Sequence, residues 1–494
     1  MIHIRPEVSS FLASSPVKMF INGKWVNAKN GGSSEVWDPA EGKVIGTVAA
    51  GDSSDVDLAF EGAGNAFRKT SWSTMPPNDR AVLIHRLADL IEKHNDILAQ
   101  IEAWNCGKPL PQTTGFEIPH VAKTFRFYAD LSVAVRRQEP IAVAGHEARS
   151  VLLPYGVCGF IFPWNFPILL LAWAIAPALA AGNTAVIKPA SLTPLSSLYF
   201  CKLAKEAGIP DGVVNTVTGP GNEVGEAIVS HPDVKRISFT GSTEIGRRLG
   251  ELAGKHLIPL KLELGGKGVA AVYDDVNVND VADKVARAVC LNTGRTCCTA
   301  TRWVVHENIY DQFLKRATDT LKSMKIGHGF DEGTEMGPLV SEKQRETVLG
   351  YVERGEKSGA KVLLETGPLH PKGHENGFYV KPGILTGPPS NVCCLDEIFG
   401  PIAYMMPFRN DDELIEMVNS NPYGLANSVW TKDLKRANRI AESLVAGSSW
   451  INAHNVFPHG VPYAGVNQSG YGGGVLGPDT FFDYLRKQSV VRPL

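Results

Sequence analysis

Between residues 156 and 275, short apolar runs alternate with stretches whose apolar positions recur every three to four residues. The runs at 157–162, 184–187, 213–217 and 236–240 have the length and β-branched content of buried strands. The stretches at 168–181, 195–207, 224–230 and 243–253 carry the helical period. Such strand–helix alternation predicts a parallel, doubly wound α/β sheet, because each crossover must return the chain to the same edge. Helical periodicity at 80–102 and 119–131 predicts an N-terminal segment packed on that sheet. A second alternating region runs from 269 to 452, with strands expected at 269–273, 303–305, 402–408 and 448–452, and reads as a second α/β domain. Two strand-like pieces, 142–153 and 487–491, fall outside both blocks. An exposed strand edge of that kind usually finds a partner chain.

Composition narrows the class. A chain of 494 residues is too long for one ordinary core. Its 44% hydrophobic and 20% charged residues are those of a globular protein. The net charge of −2 offers no electrostatic footprint for nucleic acid or an anionic membrane. No pair among the eight cysteines makes a C-x-x-C spacing, and two pairs are adjacent, so neither a metal site nor a disulfide framework is expected. The opening residues Met1 to Glu7 have no apolar segment of leader length, and a cytoplasmic location is expected. From Ser150 to Ile187 there is no charged residue, a run long enough to span a bilayer. It contains Pro154, Pro163, Pro167 and Pro177, however, and so reads as buried strand, turn and helix rather than a membrane span.

Several short motifs carry candidate chemistry. Leu291-Asn292-Thr293-Gly294-Arg295-Thr296-Cys297-Cys298 follows a predicted helix and ends in a turn of small residues. A nucleophilic thiol needs partial exposure and a lowered pKa, and Arg295 is a candidate cation for that; a free cysteine is otherwise a small buried hydrophobe. In Lys261-Leu262-Glu263-Leu264-Gly265-Gly266-Lys267, a carboxylate among leucines is partly desolvated, which raises its pKa toward that of a general base. The bland alternative is an ion pair with a flanking lysine. In Phe162-Pro163-Trp164-Asn165-Phe166-Pro167, Asn165 is either a turn residue or an amide donor for a developing oxyanion. Ile187-Lys188-Pro189 puts a lysine at a strand's carboxyl end. Phe239-Thr240-Gly241-Ser242-Thr243-Glu244-Ile245-Gly246 offers a helix N-terminus to a pyrophosphate without being the G-x-G-x-x-G fingerprint.

Together with Glu397-Ile398-Phe399-Gly400-Pro401 and Asn421-Pro422-Tyr423-Gly424-Leu425, these motifs stand in an order that resembles the aldehyde dehydrogenase superfamily, across essentially the whole chain. The resemblance implies a Rossmann-like cofactor domain (1–135 and 155–264), a catalytic domain (265–465) and a β-arm (136–154 and 475–494) that makes dimers or tetramers. It implies that Cys297 attacks an aldehyde carbonyl, that Asn165 and the Cys297 N–H hold the oxyanion, and that Glu263 activates water to hydrolyse the thioester. An intact Glu263 favours a free acid over acyl transfer to coenzyme A; a coenzyme-A-acylating enzyme and a non-catalytic relative on the same scaffold are the alternatives.

The implied cofactor is NAD. Lys188 contacts the adenosine ribose, Ser242 the pyrophosphate beside Gly241 and Gly246, Glu397 the nicotinamide ribose, and Phe399 the nicotinamide side. Phe162, Trp164, Ser191, Gly221, Gly225, Phe239, Leu264 and Gln344 complete that set. Many relatives have glutamate where this chain has Ser191, so NADP is expected to be tolerated. Arg295 replaces a usual glutamine, Gly268 a usual serine, and Gly472-Gly473-Gly474 departs from the usual C-terminal motif. The implied substrate tunnel is His120, Phe166, Leu170, Trp173, Thr296, Cys298, Phe457, His459 and Tyr463. Its aromatics predict a sizeable aromatic or unsaturated aldehyde, for example a hydroxymuconic-type ring-cleavage semialdehyde, with the two histidines either meeting a distal carboxylate or hydroxyl or sitting on a solvent-facing rim.

Overall fold

The computed structural model describes residues 4–494. Met1, Ile2 and His3, the start of the segment searched for a leader, lie outside the described residues. In the first large sheet, five parallel strands stand in the order Val214–Thr216, Thr184–Lys188, Val157–Ile161, Arg236–Thr240, Leu260–Glu263. The chain visits them third, second, first, fourth and fifth. The order therefore reverses between Val157–Ile161 and Arg236–Thr240, and the crevice outside the carboxyl ends there is where such sheets bind ligands. Antiparallel strands extend both sides: Met19–Ile21 and Lys24–Val26 at one, Gly470–Tyr471 at the other.

The second sheet has seven strands, in the order Lys361–Leu364, Gly383–Thr386, Ile402–Phe408, Arg302–His306, Val269–Val272, Ala426–Trp430, Ser448–Ile451. All its pairings are parallel except the first. A separate three-stranded sheet joins Gln138–Val143, His146–Pro154 and the C-terminal Leu485–Pro493.

The long uncharged run folds inward. Every residue of the helix Pro167–Ala181 is buried, which explains why it lacks a polar face. No helix among the described residues is long and apolar enough to cross a membrane.

Four expectations change. The helical stretch at 80–102 is two helices, Pro77–Lys93 and Asn95–Cys106, because His94 leaves helical geometry and turns its Nδ1 to the Tyr199 hydroxyl at 2.9 Å. The apolar period runs through that break and hides it. The helix expected at 224–230 opens with a wider π turn, Gly221–Gly225. The piece at 142–153 belongs to a hairpin that turns at Ala144-Gly145. Strands at Met19–Ile21, Ser33–Asp38, Lys43–Ala49 and Ala426–Trp430 were not expected; the first has three residues, and Ser33–Asp38 and Lys43–Ala49 form a two-stranded sheet of their own.

Candidate active site

Because the central strands are parallel, their carboxyl ends deliver the motif residues to one edge. Val157–Ile161 runs into Phe162-Pro163-Trp164-Asn165, Thr184–Lys188 ends on Lys188, Arg236–Thr240 opens into Gly241-Ser242, and Leu260–Glu263 ends on Glu263. Thr240 and Glu263 are register partners, and the Gly241 N–H donates to the Glu263 carbonyl at 3.0 Å.

The candidate nucleophile follows a strained turn. After the helix Val278–Cys290, Asn292, Thr293 and Gly294 take φ of 48°, 56° and 72° in succession. Non-glycine residues seldom adopt that region, and three together need a surrounding structure that enforces them. Gly294 has no alternative: a Cβ there would lie 2.2 Å from the Gly400 carbonyl carbon, so the G-x-x-C and E-I-F-G-P motifs meet glycine to glycine. Beyond the turn, Cys297 is half-buried and Cys298 fully buried. A hydrogen bond from the Cys298 thiol chiefly holds the Cys297 thiol down to about 7, against the opposing effect of burial. The Tyr463 hydroxyl, 3.4 Å away, and the backbone N–H groups of Cys298 and Cys297 add to this. Burial pushes Cys298 up instead.

Arg295 does not have the role its position suggested. Its buried guanidinium donates to the Asn292 carbonyl (2.8 Å), the Asn292 side-chain oxygen (2.8 Å) and the Cys106 carbonyl (3.0 Å), so it braces the turn rather than the thiol. The brace reaches Asn165. Asn292 Nδ2 donates to the Asn165 carbonyl at 2.8 Å, and Asn165 Nδ2 donates to the Arg295 carbonyl at 3.0 Å. A primary amide has two N–H groups, so Asn165 keeps one for a ligand. Glu263 is buried, its Oε1 has no hydrogen-bond partner among the described residues, and burial pushes its carboxyl up to about 8.

A cleft of about 430 Å³ joins Cys297 and Asn165 to much of the expected cofactor set: Trp164, Gly241, Ser242, Leu264, Gln344, Glu397 and Phe399. Ser242 caps the helix Thr243–Lys255, whose N-terminus is the natural seat for a pyrophosphate. Glu397 accepts from the Gly266 N–H at 3.2 Å, and a Cβ on Gly265 would lie 2.1 Å from Glu397 Oε2. Phe399 sits at φ 57°, its ring edge-on to Trp164 at 5.2 Å, its carbonyl held by Gln344 Nε2 at 3.0 Å. An open helix terminus, a carboxylate and an aromatic wall in one cleft fit a dinucleotide.

Other members of that set stand outside the cleft lining. Lys188 is buried beside Gly225, donates to the Pro189 carbonyl at 3.0 Å and is pushed down to about 8 by burial. Ser191 is exposed and donates to the Gly219 carbonyl at 2.9 Å; Gly221 is exposed as well. Phe162 turns into the core against Phe160, Phe239 packs over Gly241, and Gly246 packs against Leu264.

The substrate candidates form a string of rings. Tyr463 contacts Phe457 (5.4 Å between centroids) and Trp173 (6.0 Å); Trp173 contacts Phe457 (5.5 Å) and His120 (5.9 Å); His120 stacks on His459 (4.3 Å). Leu170 lines the cleft beside Cys297, and Thr296 is buried with its hydroxyl toward the Leu291 carbonyl. Phe166 faces elsewhere, its ring under Lys108 Nζ at 4.5 Å. His120 is buried, not on a solvent-facing rim. Trp450, edge-on to Phe457 at 5.7 Å, and Asn455, which accepts from the Cys298 thiol at 3.3 Å, belong to this wall and were missed. Trp450 sits midway along the strand expected at 448–452, and Asn455 had no signal. Neither did the buried Glu102–Lys108–Glu117 cluster, whose Glu102 accepts from the Ile168 N–H at 3.1 Å and so anchors the start of the helix behind Asn165.

Residues 25–490 match the model of the aldehyde dehydrogenase family. The chain is 39% identical over 479 residues to the mitochondrial benzaldehyde dehydrogenase of Antirrhinum majus, covering 97% of this chain and 89% of that one. It is 39% identical over 470 residues to the phenylacetaldehyde dehydrogenase of Pseudomonas fluorescens, covering 92% of each. The NAD+ complex of an aldehyde dehydrogenase from Bacillus cereus superposes with a TM-score of 0.96 at 38% identity, over 100% of this chain and 99% of that one. The chain belongs to the aldehyde dehydrogenase family and is an NAD(P)-dependent aldehyde dehydrogenase.

Proposed function

We propose that the protein oxidises a sizeable aromatic or unsaturated aldehyde to the free carboxylic acid, using NAD and tolerating NADP. The observation that carries this is a thiol lowered to about 7 and an amide N–H left free in one cleft, with a buried carboxyl, raised to about 8, near enough to feel the charge of that thiol. The Cys297 thiolate adds to the aldehyde carbon, forming a C–S bond while the carbonyl oxygen becomes an alkoxide. Asn165 and the Cys297 backbone N–H donate to that alkoxide; one such donor contributes roughly 3 kcal/mol to a barrier. A nicotinamide dinucleotide, which Ser242, Glu397 and Phe399 would hold, would supply the two-electron acceptor for the C–H bond that breaks as the alkoxide collapses to C=O and leaves the thioester. Glu263 then takes a proton from water as its oxygen bonds to the thioester carbon, and the acid leaves as the C–S bond breaks.

The rings of Trp173, Phe457 and Tyr463 support the substrate class, as do relatives named for benzaldehyde and phenylacetaldehyde. We further assign residues 1–135 and 155–264 to cofactor binding, 265–465 to catalysis, and 136–154 with 475–494 to a subunit-joining arm. Both outer strands of that arm's sheet lack a partner on one side, and Ile141, Val143 and Val491 are exposed on it, which supports a homodimer or homotetramer. Eight unpaired cysteines support a reducing, cytoplasmic setting.

The test is NADH formation across an aldehyde panel, with product identified in the presence and absence of coenzyme A. Free acid in both confirms the hydrolytic reading; a thioester of coenzyme A, or no NADH from any aldehyde, rejects it.

A further inference from the structure

Two polar atoms at the far end of the aromatic string have no hydrogen-bond partner among the described residues. Trp173, 4% exposed, and His120, 8% exposed, meet edge-on with centroids 5.9 Å apart. Trp173 Nε1 and His120 Nε2 are both buried with no hydrogen-bond partner among the described residues. Leaving such a group unpaired is costly, and a ligand atom taking the bond recovers that cost. The neighbouring His459 is not free in the same way, because its Nε2 is engaged by the Thr124 hydroxyl at 3.0 Å. The wall bearing the two orphans leads to the nucleophile: Trp173 touches the Tyr463 ring, and the Tyr463 hydroxyl is 3.4 Å from Cys297 Sγ. On the aldehyde-oxidising reading, the tail of an aldehyde bound at Cys297 runs along this wall.

The charges nearby decide what the tail carries. Burial, then His459 and Lys123, hold His120 down to about 3; burial and Lys123 hold His459 below its ordinary value. Both imidazoles are therefore neutral at neutral pH. The cation bearing on them, Lys123, has an exposed side chain on the same helix as His120. The helix that supplies Trp173 carries no charged residue, and the aromatic neighbours of the histidines, Phe116 and Phe127, carry none either. A carboxylate placed there would lose water, with the exposed, water-screened Lys123 as its nearby cation. A hydroxyl accepts from the indole N–H, and it can donate to or accept from His120 Nε2, whichever tautomer is present.

Resting on the aldehyde-oxidising reading above, we propose that Trp173 and His120 form a specificity site for an uncharged hydroxyl at the distal end of the substrate. The favoured class is then hydroxylated aromatic or unsaturated aldehydes, and aldehydes ending in a carboxylate are disfavoured.

The experiment compares kcat/KM with NAD for the 3- and 4-isomers of hydroxy-, methyl- and carboxybenzaldehyde, in wild type, Trp173→Phe and His120→Phe. In wild type, the better hydroxy isomer should exceed its carboxy counterpart by at least about ten-fold. The hydroxy-to-methyl ratio should fall about ten-fold in each variant, whatever the variant does to either substrate alone; taking the ratio cancels ring electronics and general loss of packing. An unchanged ratio in both variants overturns the proposal, as does a wild type that prefers the carboxylate, a result that needs no variant to fold. Failure of wild type to oxidise any of the six overturns the aldehyde-oxidising reading instead, and is distinguishable from both.

Discussion

The Tyr463 hydroxyl stands 3.4 Å from Cys297 Sγ, so one residue of the substrate wall also bonds to the nucleophile. Burial pushes the Tyr463 hydroxyl well above its ordinary pKa, which keeps it protonated and able to donate. A donor stabilises thiolate over thiol, so Tyr463→Phe should move the Cys297 thiol up from about 7 toward the ordinary 9. The bond from Cys298 is the larger influence and remains, so the shift is partial. Iodoacetamide labelling of Cys297 at pH 7 should slow roughly five-fold and recover by pH 9. An unchanged pH profile would mean that the ring only packs.

The two adjacent sulfurs should separate cleanly. Cys297 is half-exposed and lowered; Cys298 is buried, raised, and bonded to Asn455. Cys297→Ser should lose nearly all turnover while still binding cofactor. Cys298→Ser should still turn over, since a serine hydroxyl can donate where the thiol did. Steady-state NADH formation and cofactor quenching of tryptophan fluorescence read the two properties, and equal loss of turnover in both variants would place the chemistry on the wrong atom.

For Glu263 the sign of the pH dependence follows from its burial. The carboxyl is raised to about 8, and only its ionised form takes a proton from water. Where hydrolysis of the thioester limits the rate, kcat should rise with pH and level off above about 8. Glu263→Gln should keep a first-turnover burst of NADH, slow the steady state by roughly a hundred-fold or more, and abolish that limb. Loss of the burst as well would show that Glu263 acts before the thioester forms.

What was legible in the sequence is what local pattern dictates. The strands Arg236–Thr240 and Ile402–Phe408 are parallel runs buried at all but one position each, and their expected bounds coincide with the observed ones. The break at His94 was illegible because the apolar stripe crosses it, and its Tyr199 partner lies on a distant helix. Arg295 misled for a related reason: sequence proximity to Cys297 says nothing of where a long side chain points, and its partner Cys106 lies in the N-terminal region. Gly268 and Gly473 had no explanation from sequence, yet both are contact sites. A Cβ on them would lie 2.6 Å from the Ala426 carbonyl oxygen and 2.0 Å from the Asp483 carboxylate.

We propose that cofactor choice turns on Ser191. In place of a carboxylate that would bond the adenosine ribose and repel a 2′-phosphate, the chain puts an exposed hydroxyl whose proton is committed to the Gly219 carbonyl at 2.9 Å. The charge is gone and the space remains open to solvent. On the same edge, Lys188 donates only to the Pro189 carbonyl, and burial lowers it to about 8, so it is mostly protonated at pH 7. A phosphate nearby would raise it again and gain a charge-assisted bond. Relief of one like-charge repulsion at a partly exposed position is worth about 1–3 kcal/mol, or roughly ten- to a hundred-fold in discrimination. Wild type should therefore use NAD and accept NADP, and Ser191→Glu should depress kcat/KM for NADP ten- to a hundred-fold more than for NAD. The measurement is kcat/KM for both cofactors at fixed ionic strength, since the attraction is screened by salt. A wild type that already rejects NADP by more than about a thousand-fold, roughly 4 kcal/mol, would put selectivity elsewhere than Ser191.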